Sequence, residues 1–521
     1  MPSFASISRR LLLRLAGAGL AAAPGVVAAE SSPIPGPAPA NGEGADGVSA
    51  GAPIEAVWRN WFKIQRLWSY VDRQSLAPGE RFNVMAAVGP GQSSRVVRLE
   101  VFRVGAGGAD EKVWTSPFTK IDYHGATRSG ATTGPGWPPA FADIDTTGWR
   151  PGCYYADLVE QTTLTRDVKS CFWIVSNPKR SGAVLVRLGT NTYQAYNDWG
   201  GHSIYPNDDD ENRGLMVTFD RPTPPSFWEY DVFLVNWIEG LAESLGGIDY
   251  ATNFDLHADP ALLEPYPLVI TGSHDEYWSK EEFDAFYRRI FTLGGNVAFF
   301  GGNTAYCQVR FIDINQAPGT PALGRQMVCY KTASDPIVRR GGRTDPRLLE
   351  TSNFRTGARR PETMLMGGAY QNWFEPAGPQ HPALTVADPS ASWFHGTGWK
   401  TGDVAAQVVG YEWDNRDPDG DGQRLWRAGV SLIPALDPAR ISVLFRGEAL
   451  ADDGTRGLAE STLFVSPAGA RVFNAAVIRW AWGLAKPEVT NEAFRTFNEN
   501  LVRDLATRSA KRGRRPSLRA S

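Results

Sequence analysis

The chain has 521 residues, 42% of them hydrophobic and 21% charged, and a formal net charge of −3. That balance belongs to soluble globular proteins and excludes a disordered or fibrous bulk. At about 150 residues per domain, the length implies roughly two to four domains. The charge is uneven. Residues 1–29 hold three Arg and no acid, and residues 503–521 hold seven Lys or Arg against one Asp, which leaves 30–502 at −12. An acidic body excludes a nucleic-acid groove as the main surface. The four Cys (Cys153, Cys171, Cys307 and Cys329) show no CxxC spacing, so neither a zinc ribbon nor a redox motif is present, and their pairing is left open. The Gly (54), Pro (37) and Trp (18) content favours a loop-rich, β-containing architecture.

In chain order, Ser8–Arg14 contains Arg9-Arg10 and matches the twin-arginine export pattern. An Ala/Gly-rich apolar stretch follows, and Val27-Ala28-Ala29 offers small residues for cleavage. This predicts a signal peptide over 1–29 and a periplasmic or secreted protein. The twin-arginine route carries folded proteins, often with a cofactor already inserted. No later apolar run is long enough to span a membrane. Residues 30–52 are rich in Pro, Gly and Ala and predict a flexible linker.

Residues 53–177 read as strands. Phe82–Val88 follows the turn Ser75–Glu80, Val96–Val104 alternates with period two, and Gly152–Val159 with Cys171–Val175 reads as a closing hairpin. This spacing predicts an immunoglobulin-like β-sandwich. From 178 to 490 the texture changes. Ala183–Leu188, Pro267–Thr271 and Asn296–Phe300 are short apolar runs suited to buried parallel strands. Tyr230–Leu245 has helical periodicity ending at Gly246-Gly247. Ser279 with Glu282 forms a capping-box pattern opening a helix that ends at Gly294-Gly295. Ala468–Leu484 reads as a helix packing on the sheet. The predicted fold is thus an α+β multidomain chain, a sandwich followed by a three-layer α/β domain of glutamine-amidotransferase or flavodoxin-like type. The basic stretch 491–521 reads as a disordered tail.

In such sheets ligands sit beyond the carboxyl ends of the strands. Two loops there carry chemistry: Gly272–Trp278, with His274 and Glu276, and Gly301-Gly302-Asn303-Thr304. Asp417–Gly422 matches half of a calcium loop, but its twelfth position is Ala428 rather than Glu, which favours an acidic surface turn. Asn207–Asn212 reads as a solvated acidic loop. No nucleophile elbow, P-loop or dinucleotide fingerprint is present.

Taken together, Asn191–Gly201, Gly272–Ser279, Gly301–Asn303, Gly410–Asp414, Val472–Ala476 and Arg479–Leu484 resemble the large (beta) subunit of the N,N-dimethylformamidase family. The resemblance runs from about residue 65 to 485. It implies an amidase-like hydrolase acting on a small amide, with a second copy or a small partner subunit; export, read from the N-terminal segment, departs from the family's cytoplasmic enzyme. It also implies one Fe(III) held by Tyr154, Tyr196 and Glu276, with His274, Asn303 and Glu412 as catalytic residues. Two phenolates and a carboxylate would balance the ferric charge with hard donors. Each residue also has a plainer reading. Tyr154 is a strand residue that packs, Tyr193 competes with Tyr196, Glu276 caps the next helix, Asn303 is a left-handed turn residue, and Glu412 pairs with Arg416 or Arg424. The other functional class consistent with the sequence is a non-catalytic envelope protein that binds carbohydrate or protein.

Overall fold

The structure is a computed structural model. It describes residues 66–507 except 90–92, 125–129, 165, 202, 206–212, 313–323, 332–334, 340–348, 356, 359, 377–380 and 417–439. The expected signal peptide, linker, acidic loop, calcium-like loop and last 14 residues lie outside the described residues.

The protein is a mixed α+β chain dominated by sheet. The first strands are β1 (Leu67–Val71), β2 (Ser75–Leu76), β3 (Arg81–Val88), β4 (Ser94–Arg103), β5 (Glu111–Thr115), β6 (Thr119–Asp122), β7 (Pro139–Asp145), β8 (Gly152–Glu160) and β9 (Arg166–Val175). They form one sheet in the order β1-β3-β7 and a second in the order β2-β9-β8-β4-β5, with β6 beside β4. Between the sheets lies one apolar core that includes Val84, Leu99, Leu158 and Trp173. The alternation expected of a half-buried strand is present, yet all nine residues of β8 are buried. The reason is that its outer face also packs: Cys153 and Tyr155 join Phe172, Phe227 and Trp228 in the core of the following region. The bidentate pair of Arg103 with Glu239, at 3.0 Å on both contacts, crosses the same junction.

That following region is built on a sheet containing β10 (Val184–Arg187), β12 (Ile248–Ala251), β13 (Leu268–Thr271), β15 (Asn296–Phe299), β19 (Leu384–Val386), β20 (Val404–Ala406), β22 (Ser442–Leu450), β23 (Arg456–Val465) and β24 (Arg471–Asn474). Its order is β12-β10-β13-β15-β24-β23-β22-β19-β20. The first five strands run parallel and the rest pair antiparallel. The parallel strands are the short apolar runs of the sequence, and alternate residues feed opposite faces. Leu268 and Ile270 belong to one core with Leu234 and Leu501, whereas Val269 belongs to another with Phe283 and Phe286. Helices therefore cover both faces: Val232–Glu239 and Glu492–Leu505 on one, Lys280–Phe291 on the other. Ser279 and Glu282 close the expected capping box.

Two expectations are corrected. Ala468–Leu484 is not one helix: Arg471–Asn474 is the strand β24, held between β15 and β23, and only Trp482–Ala485 is helical. Val472 and Phe473 point to opposite faces of the sheet, and each fills a core, which a surface helix does not offer. Nor is the segment after 490 simply a tail. Asn491 caps the helix Glu492–Leu505, whose Phe494, Phe497, Leu501, Val502 and Leu505 are fully buried.

Candidate active site

The loop after β13 is fixed residue by residue. Gly272 N donates to Arg187 O, and Ser273 N donates to Asp231 Oδ1 at 2.7 Å. The buried pair Arg187–Asp275 anchors the next turn at 2.6 Å, and Glu276 N donates to Thr192 Oγ1 at 2.9 Å. A side chain on Gly301 would meet Ser273 O at 2.1 Å, so the strand ends β13 and β15 approach only because that position is glycine. Burial pushes Asp231 up to about 6, partly offset by hydrogen bonds from Tyr193 and Ser273. Tyr193 is therefore committed to Asp231 through its hydroxyl.

His274 stands at the centre of this end of the sheet. Its Nε2 lies 3.3 Å from Glu412 Oε2 and 3.7 Å from Glu276 Oε2, and is aligned for a hydrogen bond with neither. Its Nδ1 is 3.4 Å from the Tyr411 hydroxyl, which Tyr230 meets at 3.2 Å. Carboxylates only accept, so Nε2 carries the proton on this face. Burial alone depresses the imidazole, but Glu276 and Glu412 outweigh it and lift His274 to about 9. Tyr196 donates to Glu276 Oε2 at 2.5 Å, and its ring stacks on Tyr205. It is presented by the helix Thr190–Tyr196, whose end is gripped by the buried Arg221 through Gln194 O at 2.7 Å and Trp199 O at 3.2 Å.

The third side of the centre comes from β21 (Glu412–Asn415), paired with β18 (Ala369–Trp373). Strand alternation places Glu412 and Asp414 on one face. Asn303 bridges both: its N donates to Asp414 Oδ1 at 2.7 Å and its Nδ2 to Glu412 Oε2 at 3.1 Å. Asn303 holds φ 53, so the turn reading and the functional reading coexist in one residue. Burial raises Asp414 to about 7, against the hydrogen bonds from Asn303 and Asn474. Asn303 Oδ1, Thr304 Oγ1, Ser273 Oγ and His274 Nε2 are all buried without a hydrogen-bond partner. Such atoms are costly in folded proteins unless water or a ligand pairs them.

Thus Tyr196, His274, Glu276, Asn303 and Glu412 come together, and Glu276 is not a helix cap. Arg416 pairs with Glu460 instead of Glu412. Tyr154 is not brought to this centre. It is fully buried inside the sandwich core between Trp149 and Trp173, and its hydroxyl donates to Arg150 O at 2.6 Å. Burial pushes its phenol up to about 12. The donor set of two phenolates and Glu276 therefore does not fit this geometry: Tyr154 faces the other core, and Tyr196 spends its proton on Glu276. Among the described residues, no group of three or more His, Cys, Asp and Glu forms a metal-holding cluster. All four Cys are free and buried, and Cys153 and Cys171 belong to different cores.

Reasoning from sequence missed Asp231, Asp414, Tyr230, Tyr411 and Asn474. Asp414 and Tyr411 lie in the Gly410–Asp414 segment, where the period of two already puts 412 and 414 on one face. Asp231 carried no local signal, because only the tertiary fold brings it to Ser273.

No helix among the described residues is long and apolar enough to cross a membrane. No curated protein matches the chain. One family model matches residues 98–493, more than half of it, and spans every residue of the His274 centre. The chain belongs to the family described as N,N-dimethylformamidase beta subunit-like, C-terminal.

Proposed function

We propose that the protein is a hydrolase of small amides whose centre is His274, Glu412 and Asn303, flanked by Glu276 and Tyr196. The observation that carries this reading is the buried His274 Nε2, poised between two carboxylates and left without an aligned partner. A substrate carbonyl oxygen accepts from that N–H, which stabilises the charge that grows when the carbonyl carbon becomes tetrahedral. Glu412 takes a proton from the attacking water and returns it to the nitrogen as the C–N bond breaks. The balance is one water consumed, one carboxylate and one protonated amine formed. Asn303 holds Glu412 in place through Nδ2, and Tyr196 holds Glu276.

No step runs through a ferric ion here, because Tyr154, one of the three residues implied to hold it, lies in the other core while Tyr196 and Glu276 meet at this centre. The sandwich before residue 178 is read as immunoglobulin-like and the region after it as the glutamine-amidotransferase or flavodoxin-like class. The supports are the shared core of the two early sheets and the helices on both faces of the parallel strands. The family's description names a beta subunit, which favours a small partner subunit for this chain too. Export by the twin-arginine route completes the reading, supported by Arg9-Arg10 alone.

The test of the activity is release of amine and carboxylate from a panel of small formamides and acetamides by the purified chain. Turnover that disappears in His274→Gln supports the reading, and turnover unchanged in that variant overturns it. For export, replacing Arg9 and Arg10 with Lys leaves precursor in the cytoplasm, and continued periplasmic accumulation contradicts the route.

A further inference from the structure

Two of the four cysteines lie together and two do not. Cys153 and Cys171 stand on the paired strands β8 and β9, but their partners across the ladder are Ile174 and Ala156, and their side chains enter different cores. A disulfide between them would have to pass through the sheet. Cys307 opens the strand β16 (Cys307–Ile312), and Cys329 directly follows its antiparallel partner β17 (Gln326–Val328). The pairs Arg310–Val328 and Phe311–Met327 set the register. Cys307, Val309, Met327 and Cys329 therefore fall on one face, and all four share a core with Tyr196, Tyr205 and Tyr277. Past Val328 the two strands part: Gln308 N donates to Ser352 O, and Cys329 N donates to Leu215 O. The Cys329 side chain fills that fork. Its Sγ lies 3.5 Å from Gln308 O and 3.8 Å from Thr351 O, and the Cys307 thiol donates to it.

The pair is also chemically unequal. Lys331 Nζ stands over the rings of Tyr205 and Tyr277, at 4.7 and 4.9 Å, on the same side of the sheet. Burial raises both thiols, but at Cys329 the hydrogen bond from Cys307 and the Lys331 charge outweigh it and hold the thiol below its usual range. Cys307 stays well above its own, first through burial and then through its bond to Cys329.

We propose that Cys307 and Cys329 form a redox site that closes to a disulfide, with a small disulfide compound as the oxidant. Cys329 attacks one sulfur of that compound and displaces the first thiol. Cys307 then attacks Cys329 Sγ in the mixed disulfide and displaces the second. The protein gives up two electrons and two protons, and one donor disulfide becomes two thiols. Both cysteines are buried, at 3% and 0% exposure, so the exchange runs during folding or through local opening of the β17 end. The cross-link ties β16 to β17 behind the active centre, since Cys307 N donates to Glu276 O at 2.9 Å. It is independent of the hydrolase reading.

The test equilibrates the reduced full chain with oxidised and reduced glutathione, once in the folded state and once during refolding. Each sample is then quenched in acid, denatured and alkylated. The expected result is a mass lower by two hydrogens before alkylation, two of the four cysteines protected, and a peptide linked through Cys307 and Cys329. The double variant Cys153→Ser, Cys171→Ser should keep that link. Cys307→Ser should hold Cys329 as the mixed disulfide with glutathione. Four alkylated cysteines under both conditions, or a link through Cys153 or Cys171, overturns the inference.

Discussion

Asn303 and Glu412 are 109 residues apart in the chain and meet through a single hydrogen bond of 3.1 Å from Nδ2 to Oε2. That contact joins the parallel half of the large sheet to the two-stranded β18–β21 sheet. It also gives Glu412 a neutral donor that holds its orientation without adding charge. His274 reaches the same oxygen from the β13 loop, so three segments converge on one carboxylate.

Asp414 couples this junction to pH. Its folded value of about 7 lies above the unfolded 3.8, so folding favours the protonated acid. The stabilisation is complete below about pH 4 and is lost as pH rises through 7. The Tm of the unaltered protein, measured against Asp414→Asn over pH 4–8, should fall progressively across that window. A constant difference between the two proteins would contradict the assignment.

His274 acts in the next window. Its folded value of about 9 exceeds the unfolded value of 6.5, so the folded state favours the imidazolium. That contribution is fully present below pH 6.5 and is lost as pH rises through 9. The Tm advantage over His274→Gln should shrink between those limits, and amide turnover should decline on the alkaline side near 9. A turnover profile that keeps rising past pH 10 counts against the imidazolium as the carbonyl's donor.

Tyr154→Phe separates a packing residue from a ligand. The substitution removes the hydroxyl bonded to Arg150 O but keeps the ring between Trp149 and Trp173. Stability should fall by about 1 kcal/mol in denaturant titration, with turnover and any visible absorbance unchanged. Loss of a visible band, or of turnover without loss of stability, would return Tyr154 to the active centre.

Truncation tests the C-terminal helix. Ending the chain at 490 exposes the faces covered by Phe494, Phe497, Leu501, Val502 and Leu505. Full burial of each such side chain contributes about 1.5–3 kcal/mol, so the shorter chain should not fold cooperatively. A cooperative transition in the 1–490 chain would contradict the docking.

Much of this was legible in the sequence where local pattern and tertiary role agree. The runs Ala183–Leu188, Pro267–Thr271 and Asn296–Phe300 are apolar apart from Arg187, Thr271 and Asn296 because both faces of a parallel strand are buried, and they became β10, β13 and β15. His274 and Asn303 drew attention because they sit in the loops beyond the strand ends, whereas Glu276 and Glu412 entered as site residues through the family resemblance. Arg471–Asn474 was misread, since a four-residue strand amid Ala and Trp has helical composition, and only its place between β15 and β23 decides it. Tyr154 was misplaced because two adjacent tyrosines in β8 point to opposite faces. Either face was acceptable on pattern, and both proved to be buried. Asp231 and Arg221 were invisible because each acts on backbone brought near by folding alone.

The central claim is that Glu412 moves the proton in amide hydrolysis, and Glu412→Gln tests it most directly. The amide side chain keeps the shape and a hydrogen-bond acceptor toward Asn303 while removing the charge. Methylamine release from N-methylformamide should fall by about 100-fold or more in kcat, as expected for loss of a general acid–base group. Release at the rate of the unaltered protein, from a variant that folds normally, would contradict the account.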